Sequence, residues 1–308
     1  TYLDVDSGYA IIQHNYPKAQ ISSCNLRDFD EPISFFVYDP SYKNGTKAME
    51  VFLHPQTGRV IATRGGSEDW RHNFIGWLAK FHNSFHLDKK GEWLLGVFSL
   101  FFLLSLITGI ILYRKNILNV MLFRKNVYRR SNIHQVIGVY ALLFNLMFAT
   151  TGFWMQRYVF KKDFYRSFDY KPALKPSASL NYSVDSAFYE LKKKDRDFTP
   201  YVVYFPQSKS GKTTVYGSHA SNAFIHSRQY ADAITFDSNG TVSNTRFINE
   251  INADDRYDII NSQLHMGNFG GMPIKIIYFI FGISGAVLSI TGFRLWFKRK
   301  QKQRPLTS

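Results

Sequence analysis

Three long apolar runs dominate the pattern of hydrophobic and polar positions along the chain. They cover Glu92–Tyr113, with 22 residues and one charge, Gln135–Gln156, with 22 residues and none, and Ile274–Phe293, with 20 residues and only Lys275 charged. A helix of about 20 apolar residues crosses a hydrocarbon core of roughly 30 Å. Three such runs are rare in soluble folds. The pattern therefore predicts three membrane-spanning helices rather than the buried helices of a soluble protein.

Between these runs, apolar and polar positions alternate over short stretches. Val51–Ile61 and Ala233–Phe247 each read as an apolar strand, a turn with glycine and a second strand, which is the signal of a β-hairpin. Ser183 begins a stretch with helical periodicity that closes on lysines at Lys194. We therefore expect small α+β regions outside the spans, with further strands at Phe35–Asp39, Met49–Ala62, Tyr201–Phe205 and Thr213–Gly217.

Part of the chain repeats at an offset of 183 residues. Thr108-Gly109 corresponds to Thr291-Gly292, and His82 corresponds to His265. The two predicted hairpins precede these histidines at nearly the same distance. A fixed internal period indicates a repeated structural module, here a hairpin, a spacer, a histidine, a membrane helix and a Thr-Gly pair.

The formal net charge of +15 is concentrated beside the predicted spans. The stretch 114–133 contains six Lys or Arg and no acid, and 298–308 contains five and no acid. Basic residues clustered in short segments next to spans mark the cytoplasmic side of a membrane. Because the basic tracts adjoin membrane helices, we interpret them as topology signals and expect no nucleic-acid partner.

The charges and the apolar runs together predict a topology. We expect a first outer region at 1–91, a span at 92–113, a basic cytoplasmic loop at 114–133 and a span at 134–156. A second outer region at 157–272, a span at 273–297 and a cytoplasmic tail at 298–308 follow. Because 1–91 lies outside in this arrangement, we also expect a span upstream of Thr1, which would complete a four-helix bundle.

The chemistry available to the chain is limited by its residues. Cys24 is the single cysteine, which excludes an internal disulfide, covalent Cys-x-x-Cys-His haem attachment and cysteine-based metal sites. Neither a Gly-x-Gly-x-x-Gly nor a Gly-x-x-x-x-Gly-Lys-Ser/Thr motif occurs, so the sequence gives no sign of a site for NAD(P)H, flavin or ATP. Any metal chemistry must rest on histidine or oxygen ligands.

Three histidines, His82, His134 and His265, lie where membrane helices begin. Imidazole is the commonest metal ligand among side chains, and ionisable residues at membrane helices are costly unless they serve a function. We therefore predict bis-histidine ligation of haem b, with His82 and His265 sharing one haem near the outer face. His86, four residues after His82, is a rival ligand, and His72 is a weaker one.

His134 lies at the opposite end of its helix and should bind a second, inner haem. That site needs another ligand, which we expect from a histidine upstream of Thr1. The competing interpretation is that these histidines only make ordinary hydrogen bonds at the membrane interface.

Several stretches resemble the PepSY-associated transmembrane family. They are VFLHPQTGRVI, the span containing Leu106-Ile107-Thr108-Gly109, NIHQVIGVYALLFNLMFATTGFW, and LHMGNFGG with its following span through LWFKRK. Together they cover most of 48–156 and 233–300. The resemblance implies an integral membrane α-helical bundle, with three spans visible and a fourth upstream, carrying small α+β periplasmic PepSY-like domains. It also implies haem-ligand roles for His82, His134 and His265.

Within this family the chain is similar in its expected function to the ferric-siderophore reductase type. This similarity implies a haem-dependent oxidoreductase of the bacterial inner membrane that reduces ferric siderophore and releases Fe(II) in the periplasm. Electrons would come from a quinol or a cytoplasmic reductase. The alternative is a haem-free PepSY membrane module that binds or regulates a periplasmic peptidase or another partner.

Overall fold

In a computed structural model, the chain forms two compact units. We call Thr1–Gly91 with Arg166–Ile260 the sheet unit, and Glu92–Tyr165 with Asn261–Ser308 the helical unit. Residues 125–132 of the predicted basic loop and 303–308 of the predicted tail lie outside the residues that the structure describes. Those are 3–26, 31–43, 47–124, 133–168, 177, 180–206, 211–220 and 230–302.

The sheet unit is built on one antiparallel sheet of eight strands in the order β4-β3-β2-β1-β5-β6-β7-β8. Each half of this order is a meander, and the halves meet where β1 pairs with β5. The strands are β1 (Gln20–Asn25), β2 (Ile33–Tyr38), β3 (Met49–Leu53), β4 (Val60–Gly65), β5 (Phe198–Tyr204), β6 (Thr213–His219), β7 (Asp232–Phe236) and β8 (Val242–Arg246).

Both predicted hairpins are confirmed, as β3–β4 and β7–β8. Their turns use glycines with positive φ, +67° at Gly58 and +79° at Gly240, a conformation that side chains beyond glycine rarely adopt. Asp237 accepts backbone hydrogen bonds from Asn239 and Thr241 and so closes the second turn. Local turn chemistry therefore determines these two pairings.

Two helices, α1 (Val5–Asn15) and α6 (Val184–Lys194), pack against the sheet through one apolar core. Ser183 caps α6 by accepting from the backbone N–H of Ser186, which confirms the predicted helix start. Fully or nearly fully buried side chains from both halves fill this core, including Ile12, Ile21, Phe35, Val51, Val203, Ile234 and Phe236.

The sheet unit also contains α2 (Phe74–Ser84), which ends shortly before the first long helix. The helical unit contains most of α3 (Asp88–Met121), α4 (Ile133–Tyr140), α5 (Leu142–Gln156), the end of α7 (Ala253–Met266) and α8 (Gly271–Lys302). Among the described residues, α3 and α8 are each long and apolar enough to cross a membrane. Helices α4 and α5 meet at Ala141 with a bend of 66°, and they provide a third span only if the two helices count as one membrane crossing.

The expected fold class, a membrane helical bundle with small separate α+β domains, is wrong. The strands form one eight-stranded sheet, because β1 and β5 would each leave an unpaired edge without the other. The expected four-helix bundle is also not supported, since the described helices provide two spans, or three with the bent pair. The chain is nevertheless a membrane protein with a large antiparallel sheet attached.

Candidate functional site

His134 lies in the first turn of α4, where it is held against the far end of α8. Its Nδ1 lies 3.0 Å from the hydroxyl oxygen of Thr291. A Cβ atom added to the next residue, Gly292, would lie 3.2 Å from Cε1 of His134, so the ring sits close to the α8 backbone. Within the described part of the chain, Nε2 of His134 makes no hydrogen bond.

His265 lies in the last turn of α7 and repeats this arrangement on α5. Its Nδ1 is 2.9 Å from the hydroxyl oxygen of Thr151, and a Cβ added to Gly152 would lie 3.0 Å from its Cε1. Phe148 packs edge-on against the imidazole, with ring centroids 6.0 Å apart. Both histidines therefore rest on a Thr-Gly pair of a neighbouring membrane helix.

These two histidine sites are far apart along α8. Tyr278 donates a hydrogen bond of 2.7 Å to the carbonyl oxygen of Leu264, beside His265, whereas His134 contacts Thr291 on the same helix. The helical rise of 1.5 Å per residue places Tyr278 and Thr291 roughly 20 Å apart. One metal centre cannot be shared by both histidines, so they mark two separate places in the helical unit.

The other two predicted ligands, His82 and His86, belong to the sheet unit. His82 lies in the last turn of α2, as His265 lies in the last turn of α7, so the 183-residue repeat extends to their structural positions. Neighbouring atoms partly shield the His82 imidazole from water and lower its pKa, although the residue as a whole is exposed. The weaker rival, His72, is exposed and contacts the Asp69 carboxylate.

His86 has a different environment from His82. Its backbone has a positive φ of 58°, and its ring lies on Trp77 with centroids 4.9 Å apart. Its Nε2 is buried and has no hydrogen-bond partner in the described residues. A buried polar atom without a hydrogen-bond partner is energetically costly.

No group of three or more His, Cys, Asp or Glu side chains suitable for a metal ion occurs in the described residues. A Cβ added to Gly138, one turn after His134, would lie 3.6 Å from the Leu288 side chain of α8, which is an ordinary contact distance. The packing of α4 on α8 therefore does not require a glycine at this position.

Sequence reasoning missed two features of the polar chemistry. Thr151 and Thr291 are the hydrogen-bond partners of His265 and His134, although the recurrence of Thr-Gly at 151–152 was a readable signal. The second is His219, which lies between two carboxylates, Asp195 (2.6 Å from Nε2) and Asp232 (2.7 Å from Nδ1). Burial lowers its pKa, but the two carboxylates outweigh burial and raise the pKa overall.

Comparison with known proteins agrees with the membrane helices described above. The family model described as the PepSY-associated TM region matches residues 9–299, nearly the whole chain. No curated protein matches the chain. The match includes both halves of the sheet, α3 to α8, and the histidines at 82, 134 and 265. The chain therefore belongs to the family of PepSY-associated transmembrane regions.

Proposed function

We propose that this protein is a haem b oxidoreductase of the bacterial inner membrane that passes electrons outward to ferric siderophore. The observation that carries the proposal is the pair of imidazoles, His134 and His265, held in the same way at two levels of the helical unit. Groups roughly 20 Å apart along a membrane helix can divide electron transfer across the bilayer into two shorter steps. The proposal assigns the outer side to the sheet unit and the cytoplasmic side to the basic segments.

The residues present fit haem b. Imidazole is a common axial ligand, and no covalent attachment by cysteine is needed. Nε2 of His134 makes no hydrogen bond in the described residues, and Nε2 of His86 is buried without a partner there, as expected of ligand nitrogens. His265 would hold one haem, for which the sequence predicts His82 as the second ligand and His86 as its rival. His134 would help to hold the second haem.

In this mechanism the chain positions the ligands and shields them from water. Bound haem supplies a carrier that takes up and gives away one electron at a time. Thr151 and Thr291 orient the imidazoles, and Phe148 covers one side of His265. Each substrate Fe(III) takes one electron and becomes Fe(II), which the hard oxygen ligands of a siderophore hold less tightly. The electrons come from a quinol or a cytoplasmic reductase.

A second candidate function is a haem-free membrane module that binds a periplasmic partner. The large sheet favours it, because β4 and β8 are its outermost strands and β8 is mostly exposed. Outer strands offer backbone groups to which a partner can add a strand. This candidate needs no role for the histidines.

The deciding experiment is the reduced-minus-oxidised absorption spectrum of the purified full chain, with haem quantitation, from cells supplied with haem. We expect a Soret band and a split α band. His134→Ala and His265→Ala should alter different haems, whereas His14→Ala, at an exposed residue of α1, should change nothing. Protein without haem would exclude the reductase and favour the partner-binding module.

The same protein preparation distinguishes His82 from His86 as the outer haem ligand and tests ferric siderophore as the electron acceptor. We expect His82→Ala to convert the outer haem to a high-spin spectrum and His86→Ala to have a milder effect. The reverse result would assign the ligand to His86. Reduced protein should be reoxidised by ferric siderophore while a ferrous chelator traps Fe(II). Failure with every ferric complex tested would leave an electron carrier with a different acceptor.

A further inference from the structure

The two threonines that contact the histidines donate their hydroxyl hydrogens to backbone carbonyl oxygens of their own helices. Oγ1 of Thr291 lies 2.7 Å from the carbonyl oxygen of Val287, and Oγ1 of Thr151 lies 2.6 Å from that of Met147. In a membrane helix, donation to the carbonyl four residues earlier is the usual bond of a threonine hydroxyl. A hydroxyl has a single hydrogen to donate, so toward the imidazole each oxygen can only accept.

The direction of these bonds determines the tautomer of each imidazole. Because Oγ1 accepts, Nδ1 of His134 and Nδ1 of His265 must carry the hydrogen. A neutral imidazole has one N–H, so Nε2 keeps its lone pair. That lone pair is what a haem iron requires from an axial histidine.

The glycine after each threonine fixes the position of the ring. A Cβ at Gly292 would lie 3.2 Å from Cε1, 3.6 Å from Nδ1 and 4.0 Å from Nε2 of His134. The corresponding distances from Gly152 to His265 are 3.0, 3.6 and 3.9 Å. In both places the Cε1–Nδ1 edge lies against the helix backbone and Nε2 is the farthest of the three atoms.

We propose that Thr291 and Thr151, each with its following glycine, are positioning residues that hold His134 and His265 as Nδ1–H tautomers with Nε2 presented to haem iron. The inference rests on the haem function proposed above. Residues that orient a metal-bound histidine through its second nitrogen typically change metal affinity or activity by roughly 10- to 100-fold when they are lost. The two positions arise independently on α8 and α5, so a coincidence of packing does not account for both.

The test uses valine, which keeps the shape of threonine without the hydroxyl. In the full chain in detergent, Thr291→Val should weaken haem retention at the His134 site by roughly 10-fold or more and shift its low-spin electron paramagnetic resonance signal. Thr151→Val should do the same at the His265 site. Thr291→Ser and Thr151→Ser should restore the wild-type signals. Thr150→Val is the matched control, because Thr150 is exposed and its hydroxyl bonds only to carbonyls of its own helix.

A second readout requires no haem. Nitrogen-15 NMR of histidine-labelled apoprotein should show Nδ1–H tautomers at His134 and His265 in the wild type. Each valine variant should lose that tautomer preference at its own histidine. Unchanged tautomers and unchanged spectra in haem-loaded valine variants would overturn this inference and leave the proposed function intact. A wild-type chain that binds no haem would overturn both.

Discussion

At the scale of single residues, Asp6 and Asp185 show how the two halves of the sheet unit are coupled. The Asp6 carboxylate accepts backbone hydrogen bonds from Val184 and Asp185, and the Asp185 carboxylate accepts from Val5 and Asp6. Each acid thereby satisfies N–H groups that the first turn of the other helix leaves free, at the end where the helix dipole favours negative charge. The cost is that two carboxyl groups come close together.

This proximity makes the stability of the sheet unit depend on pH. Burial raises the pKa of Asp185 to about 6, and the negative charge of Asp6 adds to the rise, while hydrogen bonds from Asp6 and Val5 oppose it. The folded pKa thus exceeds the unfolded value of about 3.9. The folded chain binds more protons between these values, so this contribution to stability is present at low pH and lost as the pH rises from about 4 to about 6.

We therefore predict that Asp185→Asn makes the melting temperature depend less on pH between about pH 4 and about pH 6. The melting temperature of the wild type, relative to the variant, should fall by a few degrees between pH 4 and pH 6, since about 1 kcal/mol corresponds to 2–4 °C for a unit of this size. Differential scanning fluorimetry of the full chain measures it. Glu190→Gln, at an exposed carboxylate on the same helix, is the control. Parallel profiles for the wild type and Asp185→Asn would contradict the argument.

At the scale of elements, α5 and α8 are joined by polar as well as aromatic contacts. Asn145 donates a buried hydrogen bond of 3.0 Å to the Ser284 hydroxyl, and the rings of Phe144 and Phe281 stack with centroids 4.0 Å apart. Lipid provides no hydrophobic drive for helices to associate, so packing and such hydrogen bonds hold membrane helices together. The contact joins α5, which carries Thr151, to α8, which carries Thr291.

We predict that Asn145→Ala destabilises the α5–α8 pair by about 1 kcal/mol, the usual range for interhelical hydrogen bonds in membranes. The measurement is the midpoint of unfolding of the full chain in mixed detergent micelles. Leu143→Ala, at a side chain that is 75% exposed on the same helix, should shift the midpoint less. An Asn145→Ala midpoint equal to that of the wild type would mean that the aromatic contacts, among them Phe144–Phe281 and Phe148–Tyr278, hold the pair without this hydrogen bond.

The elements differ in how far the sequence predicts them. The hairpins and α6 were predictable because Gly58, Gly240 and Ser183 encode their turns and cap locally. The pairing of β1 with β5 was not, since it joins residues about 180 positions apart through backbone groups that carry no residue signature. The 66° bend at Ala141 has neither proline nor glycine at the break, so the apolar run looks like one straight helix.

The candidate site was predictable to a similar extent. The repeat and the helix positions pointed to His82, His134 and His265. The roles of Thr151 and Thr291 depend on which helices pack together. Sequence spacing within one repeat contains no such information, because both contacts join different helices.

At the scale of the whole molecule, the β1–β5 pairing makes the sheet one continuous body. Among the described residues, the ladder at this junction pairs Ser23 with Tyr204, Cys24 with Val203, and Asn25 with Val202. Cys24 is fully buried there, and its burial raises the pKa of the thiol far above its ordinary value. The thiolate form that reacts with labelling reagents is therefore suppressed for as long as the junction is closed.

We predict that Cys24 reacts with a thiol reagent only when the entire sheet unfolds. During denaturation, labelling should coincide with the loss of the β-sheet circular dichroism signal, because the two half-sheets share one core. Ser186→Cys in a Cys24→Ser background places a thiol at an exposed position and should react at once. Labelling of Cys24 well before the loss of sheet signal would show that the halves separate first.

The two halves of the sheet, which meet at this junction, also suggest how such a chain could have evolved. β1 and β5 run antiparallel, and Asp6 and Asp185 exchange equivalent bonds, which is the self-complementary contact that two identical subunits make about a two-fold axis. Gene duplication and fusion of an ancestral homodimer would produce such a chain. After such a fusion the two halves can diverge in sequence. An example is Asp232, which contacts His219, because the residue 183 positions before it is Met49. A single copy of the ancestral half would have needed a twin to complete its fold.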